Sequence, residues 1–159
     1  MCNPALLVRR AEIVRRIRAF FDGQGFVEVE TPVRIAAPAP ECHIDCPPVG
    51  TGGFLRASPE LQMKKLLAQG MDRLYQIGPC FRDGEKGSRH NPEFTMIEWY
   101  RRTADYSAIA DDLTRLMDAL RPGNAAPRRL TVREAYRRFA GWDPWQAFDA
   151  DRFDYDMAT

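Results

Sequence analysis

The residues best equipped for chemistry lie between Cys80 and Tyr100. Arg82, Asp83, Glu85, Lys86, Arg89 and His90 crowd a polar stretch that also holds Gly84 and Gly87, and behind it runs Phe94-Thr95-Met96-Ile97-Glu98-Trp99-Tyr100-Arg101. Successive strand residues point to opposite faces, so Phe94, Met96, Glu98 and Tyr100 share one side while Thr95, Ile97, Trp99 and Arg101 share the other. One face therefore presents an aromatic ring, a carboxylate and a phenol in a row. That mixture suits a concave site that stacks a flat ring and also holds a cation. It equally describes an ordinary strand with Glu98 at its solvated end, and periodicity alone does not separate the two.

The flanks say how this stretch is held. Leu74-Tyr75-Gln76-Ile77 and Phe94 to Tyr100 are rich in strand formers, which predicts a long antiparallel hairpin with a mobile charged loop from Asp83 to Asn91. Upstream, Leu6, Leu7, Ile13, Val14, Ile17, Phe20 and Phe21 recur at helical spacing and Asp22-Gly23-Gln24-Gly25 ends the helix. Phe26 to Thr31 alternates as a strand and meets Pro32, which cannot donate a ladder hydrogen bond. Residues 34–53 hold four prolines and three glycines and read as irregular loop. Phe54-Leu55-Arg56-Ala57 is a short strand. Ser58-Pro59-Glu60 then opens a helix with Ser58 as N-cap, Leu61, Met63, Leu66 and Leu67 facing inward, and Gly70 as the stop. Capping by itself accounts for all three of its opening residues.

Beyond the hairpin, Tyr106, Ile109, Ala110, Leu113, Leu116, Met117 and Leu120 form a helical stripe read as core. Thr131 and Glu134 have the spacing of a capping box for a short helix through Phe139, stopped by Gly141. An acidic, aromatic tail follows. No composition shift marks a second domain, so the chain reads as one α+β domain, an antiparallel sheet flanked by helices.

Composition sets the outer limits. Twenty-three basic residues meet twenty-two acidic ones, so no basic field covers the chain as a broad nucleic-acid grip would require. No apolar run approaches the roughly 18 residues of a membrane span and no secretory h-region opens the chain, which makes a cytoplasmic location the expectation. Cys2, Cys42, Cys46 and Cys80 are sparse for a disulfide scaffold. Cys42-His43 with Cys46 invites a zinc reading, but the one distant candidate ligand is Cys80, so no metal site is assigned.

The run Phe81-Arg82, a glycine-containing acidic loop, then His90-Asn91-Pro92-Glu93-Phe94-Thr95-Met96-Ile97-Glu98-Trp99-Tyr100 resembles motif 2 of the class II aminoacyl-tRNA synthetases. The version is that of the lysyl-tRNA synthetases and their short paralogues, the elongation factor P lysine ligases. Motif 2 would span about residues 74–101 and motif 1, with its helix, glycine turn, strand and proline, about residues 6–33. The resemblance implies ATP with Mg2+ as cofactors, lysine or β-lysine as substrate, and activation of its carboxylate by attack on the α-phosphorus of ATP. Arg82 would be the catalytic residue, since its planar fork can bridge a carboxylate and a phosphate. Glu85, His90, Asn91 and Phe94 would join Arg82 on ATP, His90 over the distal phosphates and Phe94 against adenine. Ser58, Glu60, Arg82, Glu98 and Tyr100 would bind the amino acid, Glu60 at its α-ammonium and Glu98 at its ε-ammonium. Pro32 would belong to a motif 1 homodimer interface.

Two departures stand out. The family places an acid two positions after the motif 2 arginine, where this sequence has Gly84; either Glu85 substitutes through a shifted loop or one ATP contact is missing. The sequence also ends before the glycine-rich segment with the motif 3 arginine, so a fragment with weak or no activity of its own is expected. Three functions follow: a ligase acting on elongation factor P, favoured because motif 1 begins within the first ten residues and leaves no room for a tRNA-reading barrel; part of a lysyl-tRNA synthetase charging tRNA; or a non-catalytic dimerisation module.

Overall fold

The structure, a computed structural model, describes residues 3–50, 52–123 and 127–158. The chain divides into two compact units, Met1–Asn124 and Ala125–Thr159.

In the first unit, helix α1 (Pro4–Gly23) is capped by Asn3, whose side chain accepts from Ala5 N at 3.0 Å. Gly25, at φ 72°, makes the turn that ends it and leads into β1 (Val27–Glu28). The expected six-residue strand is thus cut to two, because only Val27 and Glu28 find partners, Leu74 and Tyr75. That pairing is parallel. The sheet β1-β4-β5 is therefore mixed rather than wholly antiparallel, which the long connection from β1 to β4 (Arg73–Phe81) permits. Strand β4 runs antiparallel to β5 (Glu93–Arg101) over nine paired residues, from Arg73 with Arg101 to Phe81 with Glu93. The hairpin expected around the charged loop is present.

Residues 34–53 are mostly irregular, yet β2 (Arg34–Ile35) pairs antiparallel with β3 (Phe54–Leu55). Helix α2 (Glu60–Ala68) follows one residue later than expected, with Pro59 rather than Ser58 at its N-cap; the Ser58 hydroxyl still accepts Glu60 N at 3.0 Å, and Gly70 lies at φ 105° beyond its end. Met63 is fully buried, but Leu61, expected to face inward, is 44% exposed.

Phe21, Phe26, Tyr75 and Leu116 form the core, with Ile17, Phe20, Ile77, Ile97, Trp99 and Leu120 packed around them. Phe21 stacks on Tyr75 at 4.8 Å and meets Phe26 edge-on at 5.1 Å. Truncating a ring so enclosed costs about 3–5 kcal/mol. The Tyr75 hydroxyl donates to Asp22 at 2.9 Å, and burial together with that carboxylate pushes the phenol above its ordinary pKa. Helix α3 (Tyr106–Leu120) is capped by Asp105 and contributes Leu116 and Leu120 to this core. Its stripe is only partly core: Tyr106, Leu113 and Met117 are exposed. Periodicity identifies an apolar face but not how much of it a neighbour covers.

The second unit is built from α4 (Val132–Ala135), a π turn (Tyr136–Ala140) and α5 (Ala150–Ala158). The Thr131–Glu134 capping box forms in both directions and Gly141, at φ 74°, closes the π turn. The tail, given no element from sequence, becomes α5. Tyr136 stacks on Phe153 at 5.0 Å and Trp142 Nε1 donates to Asp156 at 2.7 Å. No helix is long and apolar enough to cross a membrane among the described residues.

Candidate active site

Hairpin alternation sorts the two faces of β5 as the sequence required. Ile97 and Trp99 pack on the core, Thr95 accepts from Arg10 of α1, and Arg101 reaches Asp112 of α3. Phe94, Glu98 and Tyr100 lie on the other face, next to Arg82 and Ser58.

Arg82 sits where the hairpin neck closes, its amide donating to Pro92 O at 2.9 Å. The next residue, Asp83, donates to Asp45 O at 2.8 Å, pinning the 34–53 segment beside it. The Arg82 guanidinium lies over the Phe94 ring at 5.3 Å and approaches Glu85 at 3.6 Å. Its Nε is buried and has no hydrogen-bond partner. Buried donors are nearly always satisfied, so an orphan on a cavity wall marks a place where an acceptor fits.

Arg82, Glu85, His90, Asn91 and Phe94 line one cavity of about 570 Å³, together with Lys86 and Arg89. Around that space Arg82, Lys86, Arg89 and His90 face the single carboxylate of Glu85. A polyanion with a flat ring matches this lining in charge and shape, and the volume lies in the usual range for small-molecule sites. Gly84 takes φ 76°, a conformation side chains rarely adopt, and both Gly84 and the neighbouring Glu85 line the cavity, Glu85 supplying its carboxylate. Lys86 and Arg89 went unassigned from sequence, although their place in the hairpin loop was the available signal.

A second, much narrower slot of about 40 Å³ is lined by Ser58, Glu60, Cys46, Ile44 and again Arg82. Arg82 is thus the wall common to both spaces. Glu60 is half-exposed and pairs with Lys64 one turn along α2. Glu98 and Tyr100 line neither cavity; they connect to the slot through Ser58. The Ser58 hydroxyl donates to one Glu98 oxygen at 2.5 Å and the Tyr100 hydroxyl to the other at 3.1 Å. Burial, then the Glu98 charge, pushes the Tyr100 phenol well above its usual pKa, keeping it a protonated donor. Among the described residues Glu98 has no cationic partner. Pro32 is exposed and lies outside both cavities.

Cys80 is buried, Cys46 half-buried and Cys42 exposed, while Cys2 lies outside the described residues. Among the described residues no three His, Cys, Asp or Glu side chains gather as metal ligands.

Residues 3–141 match the model of the family described as tRNA synthetases class II (D, K and N). The chain belongs to this family. Within it, the chain is similar to proteins named elongation factor P–(R)-β-lysine ligase. That of Proteus mirabilis is 39% identical over 153 residues, which cover 90% of this chain and 46% of the relative. The Vibrio cholerae protein is 40% identical over 148 residues, 87% of this chain and 45% of the relative. The Pseudoalteromonas translucida protein is 40% identical over 153 residues, 90% and 47% respectively. The chain spans about half the length of these curated class II relatives.

Proposed function

We propose that this chain forms the amino-acid-activating part of a cytoplasmic ligase that uses ATP and Mg2+ to activate lysine or β-lysine as an aminoacyl-adenylate and transfers it to a lysine side chain of elongation factor P. The domain reading is that of part of a class II catalytic domain across residues 1–159, with motif 1 at about 6–33 and motif 2 at about 74–101. The observation that carries the substrate class is Glu98: a half-buried carboxylate, fixed by neutral hydroxyls on both oxygens, with no cation among the described residues to answer it. Burying an unpaired charge is costly, and an ammonium-bearing substrate supplies the missing partner.

ATP fits the larger cavity. Its phosphates would lie among Arg82, Lys86, Arg89 and His90, and its adenine against Phe94. Arg82, shared by the cavity and the slot, would hold an amino-acid carboxylate and the α-phosphate together, removing the repulsion between two anions as the first attacks the second and diphosphate leaves. Its free Nε supports that role. The slot would take the substrate α-ammonium at Glu60 in competition with Lys64. Magnesium would be carried mainly by the phosphates, since no ligand cluster exists among the described residues. Pro32, outside both cavities, fits a homodimer interface better than a direct contact.

Calorimetry of the chain with lysine, β-lysine and ATP tests the reading. Binding of a basic amino acid that is weakened by Glu98→Gln, with ATP binding retained, is the expected result; equal binding of lysine and norleucine would overturn it. The family description keeps tRNA charging as the second reading for the acceptor. Transfer of the activated group to elongation factor P, and not to tRNA, separates the two.

A further inference from the structure

Arg56 is only 1% exposed, and every group it bonds is neutral. Its Nε donates to Pro79 O at 3.1 Å and its Nη1 to Thr31 O at 2.8 Å and Thr31 Oγ1 at 2.9 Å. Among the described residues it makes no ion pair. A buried cation is ordinarily paired, and for stability alone an apolar side chain of similar volume serves as well or better. Packing therefore leaves this arginine unexplained.

Its connections suggest another purpose. The Arg56 amide donates to Val33 O and its carbonyl accepts Phe81 N, both at 2.9 Å. Val33 follows Pro32, Phe81 precedes Arg82, and Ser58 lies two residues beyond Arg56. The guanidinium crosses β4 at Gly78, where a Cβ would come within 2.8 Å of Arg56 Nη2. A glycine inside a strand commonly marks such a close approach. Gln76 completes the buried cluster by accepting from Thr31 N at 3.1 Å and Thr31 Oγ1 at 2.9 Å. Cys80 feels the charges of Arg56, Glu98 and Arg82 together, so all three lie within electrostatic reach of one thiol.

We infer that Arg56 is the positioning residue of this site: from beneath, its guanidinium and peptide groups tie the Pro32 segment, the Ser58 that orients Glu98, and the Arg82 neck of the hairpin into one geometry, without touching substrate. The inference deepens the proposed ligase reading and rests on Arg82 and Glu98 holding the roles given above.

The test uses Arg56→Met, which keeps volume and removes charge and donors, and Arg56→Lys, which keeps the charge. Three readouts apply to the full chain: melting temperature, the Arg82 Nε–Hε cross-peak by NMR, and lysine-dependent ATP/diphosphate exchange. The expected result is a folded Arg56→Met whose Arg82 cross-peak moves and whose exchange falls about 10²-fold, mainly in kcat, as a displaced catalytic group produces. Arg56→Lys recovers part of that loss. A merely structural residue would instead lower exchange in step with melting temperature across both variants, and that result, or an unmoved cross-peak in folded Arg56→Met, overturns the inference. Should Arg56→Met not fold, Gly78→Ala displaces the guanidinium without removing it; a moved Arg82 cross-peak supports the assignment and an unmoved one overturns it. If the unaltered chain binds neither lysine nor β-lysine by calorimetry, the ligase reading fails by itself; the cross-peak still decides the role of Arg56, also where exchange is too weak to measure.

Discussion

Asp112 and Glu98 are two carboxylates on opposite sides of the same hairpin, and they are treated in opposite ways. Asp112, fully buried on α3, accepts both Arg101 Nε at 2.6 Å and Arg101 Nη2 at 2.7 Å, and Arg115 Nη2 at 2.7 Å. Burial works to raise its pKa, yet the two guanidinium groups outweigh burial and hold it below the usual carboxylate range. Glu98 receives two hydroxyls and, among the described residues, no cation. Asp112 is closed by charges of its own chain, whereas Glu98 is oriented by neutral donors, as the proposed receptor for a cationic substrate would be.

The largest effect should come from the closed side. Asp112→Ala leaves Arg101, packed over the Phe26 ring at 4.7 Å, with its charge unpaired, and should cost about 3–5 kcal/mol in urea unfolding. A loss near zero would break the contrast. On the open side the expected losses are functional. Arg82→Lys should slow lysine-dependent exchange by about 10² to 10³ while the urea midpoint stays in place. Smaller again, Glu98→Gln should weaken lysine binding by about 1.5–3 kcal/mol with ATP affinity unchanged, read by calorimetry. A Glu98→Gln protein that loses stability instead would make Glu98 a second Asp112.

The smallest effect lies in the second unit and extends the comparison to pH. Asp143 accepts hydrogen bonds from Arg133 and Arg137, and the Arg133 bonds lead in lowering its pKa to about 2. A carboxyl depressed in the folded state gives stability that is complete above its unfolded pKa, near 3.8, and lost as pH falls toward 2. Both arginines are half-exposed, so solvent screens the pairs and the loss should be modest. Fluorescence of Trp142 and Trp145 should report loosening of this unit between about pH 4 and 2. An unchanged signal over that window would mean that the Asp143 pairs add nothing measurable to the stability of this unit.

Local signals in the sequence translated faithfully into structure. The Thr131–Glu134 box formed because its partners are three residues apart, and the two faces of β5 separated because side-chain alternation is built into a strand. Gly84 and Gly141 mark turns because their backbone conformations exclude most other residues. Periodicity failed where the answer depended on a neighbour: Leu61, Tyr106, Leu113 and Met117 lie on apolar faces that are only partly covered. The strand after Phe26 failed for a related reason, since a strand exists only where a partner pairs with it. The unit boundary at 124/125 carries no composition signal, and α5 depends on Trp142 and Phe153 meeting Asp156 and Tyr136.

From its residue order this chain determined its family, its hairpin and the polar and aromatic groups that the proposed reading sets against a nucleotide and a basic amino acid. Tertiary structure decided which of them share a wall: Arg82 between cavity and slot, Glu85 and His90 lining the same cavity, Ser58 carrying Glu98, and Arg56 buried against the segments that lead to Pro32 and Arg82. The reason is physical. Residue type and spacing encode what a side chain can do and which way it faces on its own element, but burial, pairing and an unanswered charge are properties of the space between elements, which forms only when distant segments pack.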